Sequence, residues 1–385
     1  MELTEDQLAI KRMVAEFARH ELAAAAFKPE SEEDYRARLR RLGQQGLLGL
    51  TAPVEYGGGG LGYFDALLAV EEMAKYDPRS AAEMHTNGTG TASHLWVLGT
   101  PAQQERWLRP ICEGRLRCAI AMTEPEAGSA ATEMRTTATL ADDGQAYCLN
   151  GGKIFISGGK HADIFVTYAR FGPGEGGRNI GALVVERDTP GFQILRNDHN
   201  MADEDQAQLL FEDCRVPRDN VLVTGDAFGR LIRIYNRNRL SGVAQALGMA
   251  QASYDEALQH TQVRRQFGHE LADFQGLQWM LADMAIQLNA SRAVLYQAAR
   301  SEHDGELDPL QVSMAKVFVA ETCLRVCDMA IQLFGGYGYM AEAPVNQRYR
   351  RVRGTSIYGG TMQIHRNMIA SRILNRRKPR PAQTS

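Results

Sequence analysis

The sequence predicts an α+β chain in successive parts: helical, then β, then helical. Apolar residues recur at helical spacing up to about residue 113. Short β-branched runs punctuated by Gly, Asn and Asp fill the middle, and long helical periodicity resumes at Phe228. The parts are set at 1–117, 118–225 and 226–385. In the first part, Leu3, Ile10, Val14, Phe17 and Leu22 share one helical face over 3–25, and Thr4 followed by Asp6 and Gln7 marks the start. Further helices are predicted at 34–45, 62–76, 80–98 and 101–113, with a break in the glycine-rich stretch 52–60. Strands are predicted at 136–140, 146–149, 164–168, 182–185 and 208–211, as an antiparallel barrel or sandwich, with the Gly-Pro-rich 172–177 as a hairpin loop or longer excursion. The last part reads as helices at 228–262, 270–302, 308–335 and 343–350, ending in a solvated basic tail at 372–380.

Composition narrows the class. At 385 residues the chain can bury a sizeable core, and 44% hydrophobic with 23% charged residues is the balance of a globular protein. A net charge of −3 gives no general drive toward nucleic acid or acidic membranes. The acidic start lacks the basic and apolar regions of a signal peptide. No run approaches the roughly 18 apolar residues of a membrane span. The six cysteines show neither a Cys-x-x-Cys pair nor a histidine at zinc spacing, so no metal is predicted. Cys323 and Cys327, four apart on a helix, read as buried thiols rather than a disulfide, and the cytoplasm is the default location.

A set of motifs in order carries a resemblance. These are Ala-Met-Thr-Glu-Pro-Glu-Ala-Gly-Ser-Ala at 121–130, Ile-Ser-Gly-Gly at 156–159 and Arg-Arg-Gln-Phe-Gly at 264–268. Phe-Gln-Gly-Leu-Gln at 274–278, Gln-Leu-Phe-Gly-Gly-Tyr-Gly-Tyr at 332–339 and the segment 354–367 complete the set. Together they resemble the acyl-CoA dehydrogenase family across essentially the whole chain. The resemblance implies a helical N-domain, a β-barrel or sandwich middle domain and a four-helix-bundle C-domain. It also implies FAD as cofactor, an acyl-CoA thioester as substrate, and a homotetramer or homodimer sharing FAD across subunits.

By the same resemblance, Met122 and Thr123 lie at the pyrimidine side of the flavin, with Ile156 and Ser157 beside the ring. Arg264, Gln266 and Phe267 match positions holding the FAD pyrophosphate and adenine of a neighbouring subunit, and arginine's planar fork suits a diphosphate. Gln332, Gly335 and Gly336 match the segment facing that same FAD, and Thr361 and Gln363 match phosphate and adenine contacts. Ser129, Asn236, Arg239 and Tyr358 are assigned to the CoA thioester, Ser129 having a helix N-cap as its plainer alternative and Arg264 a solvated helix charge.

The family's catalytic glutamate occupies one of two positions, which here read Gly359 and Asn238. Neither can take a proton near neutrality, and a general base contributes roughly 10²–10⁴-fold. Candidates for a displaced base lie on the unusually polar 78–98 helix: Glu83 and His85, with Arg79 as partner for an acidic acyl tail. The plainer reading of Arg79 and Glu83 is an i,i+4 surface pair. The polarity of this wall points to a short, polar acyl group.

A branch that also lacks the glutamate, the 3-sulfinopropionyl-CoA desulfinases, resembles this chain at 124–134, 274–284 and 359–364. The arginine that meets the sulfinate in that branch pairs with Ala82, Arg79 lying one turn earlier. The readings are therefore a dehydrogenase, with electron-transfer flavoprotein as partner if the reaction is redox, or a non-redox lyase. A third is a non-catalytic flavoprotein that binds a partner or DNA, suggested only by Arg348, Arg350, Arg351 and Arg353.

Overall fold

The computed structural model describes residues 2–375, and the last residues of the basic tail lie outside this range. The chain opens with α1 (Glu5–Glu21), whose Thr4 hydroxyl accepts from the Gln7 amide while the Gln7 side chain caps Thr4, the reciprocal box that the sequence signalled. It continues through α2 (Glu32–Gln44), α3 (Tyr63–Tyr76), α4 (Pro78–Glu83) and α5 (Ser93–Leu98). The helical run from 101 to 112 is composite: α6 (Pro101–Gln103), a π-turn at Gln104–Leu108, and α7 (Arg109–Cys112).

The expected helix at 80–98 is broken. A π-turn occupies Met84–Thr89, and regular helix resumes only at Ser93. Thr86, Gly88, Thr89, Gly90 and Thr91 are poor helix formers, and the side chains compete with the ladder: Thr89 donates to the His85 carbonyl, and Asn87 reaches sideways to Glu83 and to the Cys118 amide.

The middle part is one eight-stranded sheet: β1 (Cys118–Ala121), β2 (Thr137–Leu140), β3 (Ala146–Ser157), β4 (Ile164–Arg170), β5 (Ile180–Glu186), β6 (Phe192–His199), β7 (Asp205–Pro217) and β8 (Val221–Val223). The order is β6-β7-β3-β2-β4-β5-β8, with β1 added in parallel against β4 and the longer ladders antiparallel. The strand expected at 146–149 runs on to Ser157, because β7 follows it through irregularities after Leu149 and after Lys153. β6 is an edge strand with five of its eight residues polar, so it lacks the apolar alternation that marks a strand in sequence.

The last part contains α8 (Phe228–Val263), α9 (Gln275–Ala299), α10 (Pro309–Phe334), the short α11 (Gly336–Tyr339), α12 (Pro344–Gly354) and α13 (Met362–Ile373). Between α8 and α9 a two-stranded hairpin pairs Arg265–Gln266 with His269–Glu270. At 36 residues α8 is about 54 Å long and forms the spine of the molecule. α13 was not expected; it starts at Thr361, whose hydroxyl accepts from the Ile364 amide.

The two helical parts share one apolar core, in which Leu67, Val70 and Met73 of α3 join Leu240, Val243 and Leu247 of α8 and Val319 and Cys323 of α10. A second core lies between the sheet and residues 92–112, and a third within the sheet, around Phe165, Leu183 and Phe211. All six cysteines are free thiols, with Cys323 and Cys327 buried. No helix among the described residues is long and apolar enough to cross a membrane.

Candidate functional site

Three groups of site residues emerge among the described residues. The first lines the start of the sheet. Glu124 accepts from the Arg135 and Thr136 amides and pairs with Lys153 of β3 at 2.8 Å; both side chains are buried. The Lys153 ammonium also donates to the Met122 carbonyl, and the Ile154 amide donates to the Thr123 carbonyl. Burial lowers the Lys153 amine to about 8, against the pull of Glu124. This pair fixes the 121–136 loop beside β3, so Met122 and Thr123 sit next to the strand that carries Ile156 and Ser157. Ile156 is buried, whereas Ser157 is exposed and donates to Gln206. Ser129 is exposed and caps no helix. The sequence reading missed Lys153 because a lone lysine in a strand carries no motif.

The second group lies at the far end of α8. Phe267 has φ +51° in the tight hairpin turn and is 92% exposed. The Gln266 side-chain amide donates to the neighbouring Arg265 carbonyl. The Arg264 guanidinium lies over the Tyr337 ring at 5.6 Å and makes no ion pair among the described residues. Gln332 is exposed near the end of α10, followed by Gly335, whose φ +60° and ψ −136° suit only glycine. A Cβ on Gly335 or Gly336 would meet nothing within 4 Å, so the turn presents bare backbone to open space. A free arginine fork beside open glycine backbone fits the diphosphate of a flavin dinucleotide, whereas Thr361 and Gln363 start α13 next to the third group, the His365 amide donating to the Thr361 carbonyl.

The third group surrounds Gly359, whose φ is +71°. Its carbonyl accepts from Arg239 Nε at 2.9 Å and lies 3.1 Å from His365 Nε2. Arg239 and Asn236 are buried and bonded to each other at 2.8 Å. They hold the 358–360 turn rather than reaching out toward a CoA nucleotide. Asn238 approaches Gly90 so closely that a Cβ there would stand 2.0 Å from its Oδ1, while its Nδ2 is buried without a partner. Glycine at 90 is therefore a packing requirement.

Lys316, which the sequence reading did not single out, comes up beneath Gly359 from α10. Its Nζ is 3.6 Å from the Cβ position of residue 359 and 4.7 Å from the centroid of the Tyr358 ring. It is fully buried and has no hydrogen-bond partner. Burial first, and Arg239 second, lower its amine to about 7.

The candidates on the polar helix fare differently. Arg79 turns outward, donating to the Lys28 and Ala25 carbonyls and pairing with Glu30. Glu83 is buried in an ion pair with Arg117 at 3.0 Å and also accepts from Tyr35 and Asn87. Neither has a free face for a substrate, because both are committed to structural bonds. His85 does lie in the site: its Nδ1 meets Ser241 Oγ, which already donates to the Arg237 carbonyl. Nδ1 is thus the donor, leaving the Nε2 lone pair free. Burial, reinforced by Lys316 and Arg117, lowers the ring to about 4. Of the basic residues on α12, Arg348 is buried and Arg350, Arg351 and Arg353 are half-buried. Arg348 pairs with Glu256, Arg351 with Glu204, and Arg350 donates to the Ala341 carbonyl, so three of the four are engaged within the chain rather than set out as a cationic face.

Comparison with known proteins bears on the whole chain. The model of the acyl-CoA dehydrogenase N-terminal domain matches residues 4–115, that of the middle domain 119–214, and that of the C-terminal domain 228–374. An acryloyl-CoA reductase (NADH) of Anaerotignum propionicum is 36% identical over 97% of this chain and 96% of its own length. A 3-sulfinopropanoyl-CoA desulfinase of Paraburkholderia xenovorans is 34% identical over 98% of each. The structure of butyryl-CoA dehydrogenase from Megasphaera elsdenii superposes with a TM-score of 0.90 at 33% identity, covering 97% of this chain and 99% of that one.

Proposed function

The chain belongs to the acyl-CoA dehydrogenase family, and on that premise we propose that it is an FAD enzyme acting on a short or polar acyl-CoA without the usual glutamate base. The observation that carries this reading is the surroundings of Gly359: Lys316, Arg239, His85 and His365 converge there, and no carboxylate figures among the interactions of Lys316. Such a site favours electron-rich or anionic groups on the substrate. Relatives whose names specify acryloyl and sulfinopropanoyl thioesters support a small acyl group.

FAD, when bound, supplies a hydride acceptor for the β-carbon. The chain's own contribution is to hold the 121–136 loop through Glu124 and Lys153, to present Arg264 and the 335–336 turn to a diphosphate, and to fix the Gly359 carbonyl through Arg239. Assembly as a homotetramer, with the second group serving a neighbouring subunit's cofactor, follows the family pattern. The cytoplasm is the proposed location.

A desulfinase is the second reading, favoured by Gly359 together with Asn238 and by the 34% identical relative. Anaerobic mixing separates the two. Bleaching of the bound flavin by butyryl-CoA supports the dehydrogenase, with electron-transferring flavoprotein as the onward acceptor. Sulfite release from 3-sulfinopropionyl-CoA without bleaching supports the lyase. A purified chain that is colourless and takes up no FAD overturns both.

A further inference from the structure

A fully buried lysine amine with no hydrogen-bond partner among the described residues is an expensive thing to keep, and the contact of Lys316 Nζ with the Tyr358 ring replaces only part of the hydration it loses. Its Nζ stands 3.6 Å from the point at which a side chain on residue 359 would begin. A glutamate at 359 would place its carboxylate within a few ångströms of this nitrogen, so the amine occupies the neighbourhood of the missing base. The groups that interact with it are Arg239 on α8, His85 in the π-turn, His365 on α13 and the ring of Tyr358. With cations and imidazoles but no carboxylate among these partners, only the face of the Tyr358 ring favours the ammonium, while burial and Arg239 oppose it, so the amine keeps its lone pair near neutrality. This is the form in which a lysine works as a general base.

We propose that Lys316 is the proton acceptor of this enzyme, its Nζ taking the α-proton of an acyl thioester bound beside Gly359. The proposal rests on the acyl-CoA reading above. In this step the α-carbon–hydrogen bond breaks, its electron pair stays on the thioester as an enolate, and the proton passes to the neutral amine to give the ammonium. Return of the proton reverses the step, so it needs no oxidant. The rival within the site is His85, whose Nε2 is free, but its ring is held at about 4 and is a much weaker base.

Solvent exchange tests the assignment. The flavin-loaded enzyme is incubated with butyryl-CoA in heavy water without an electron acceptor, and deuterium at the α-carbon is read by mass spectrometry. Thioester affinity is measured separately by calorimetry. The wild-type enzyme is expected to exchange, with a rate that rises with pH and levels off above about 7. K316M is expected to lose at least about 10²-fold in exchange with its affinity unchanged. K316R, which keeps a long basic side chain but is permanently protonated, is expected to lose exchange as well. Melting of the flavin-free K316M chain, at or above the wild-type temperature near neutral pH, confirms that the fold is intact and that the amine was an uncompensated buried group. Wild-type exchange rates in K316M or K316R overturn the proposal, as does a wild-type enzyme that binds the thioester but does not exchange. A wild-type enzyme that binds no CoA thioester overturns the acyl-CoA reading itself.

Discussion

Glu83 and Lys316 show how differently two buried charges can be held. Glu83 is compensated by Arg117, Tyr35 and Asn87, so E83Q should strand the Arg117 guanidinium and cost about 3–5 kcal/mol of stability in a urea titration. Lys316 is uncompensated, and its folded amine titrates at about 7 against an ordinary value of 10.5. The unfolded chain therefore binds the proton more tightly, and the wild-type fold gains stability as pH rises from about 7 toward 10.5. K316M lacks this gain, so its advantage in melting temperature over the wild type should shrink across that window; a constant gap would contradict the lowered amine. Gly359 stood out in the sequence because a motif surrounds it. Lys316 was not, since it lies 43 residues away on another helix and meets Gly359 only through the packing of α10 under the 358–360 turn.

The π-turn at Met84–Thr89 is where element-level reading fell short. Helical spacing was visible over 80–98, but the periodicity does not report that Asn87 bonds across to Glu83 and the Cys118 amide. That lateral bonding, together with the seat of Gly90 against Asn238, bends the segment over the site. Gly90→Ala should cost about 1–3 kcal/mol by overpacking, and Asn238→Ala in the same chain should recover part of the loss, as a double-mutant cycle in denaturant would read. Losses that simply add would show that the two positions do not press on each other. By contrast, α1 was readable to its capping box, and α8, α9 and α10 to within a few residues, because long amphipathic helices repeat their signal over many turns. β6 and α13 escaped notice because polar residues interrupt their apolar pattern.

At the scale of the molecule, the group around Arg264 and the group around Thr123 share no hydrogen bond within one chain. If a cofactor bridges them between subunits, a chain carrying Arg264→Ala and a chain carrying Ser157→Ala should each retain FAD poorly. Mixed after partial unfolding and reassembly, they should regain part of the bound flavin absorbance. No recovery in the mixture would place both groups on the same subunit's cofactor or on none. The shared core of the two helical parts has a different consequence, one for synthesis. α3 buries Leu67, Val70 and Met73 against α8 and α10, which leave the ribosome more than 150 residues later. The sheet has a core of its own around Phe165, Leu183 and Phe211 and can close while translation continues. The opening helices cannot, so for most of its synthesis the nascent chain carries an uncovered apolar face that chaperones must shield until the last helices emerge.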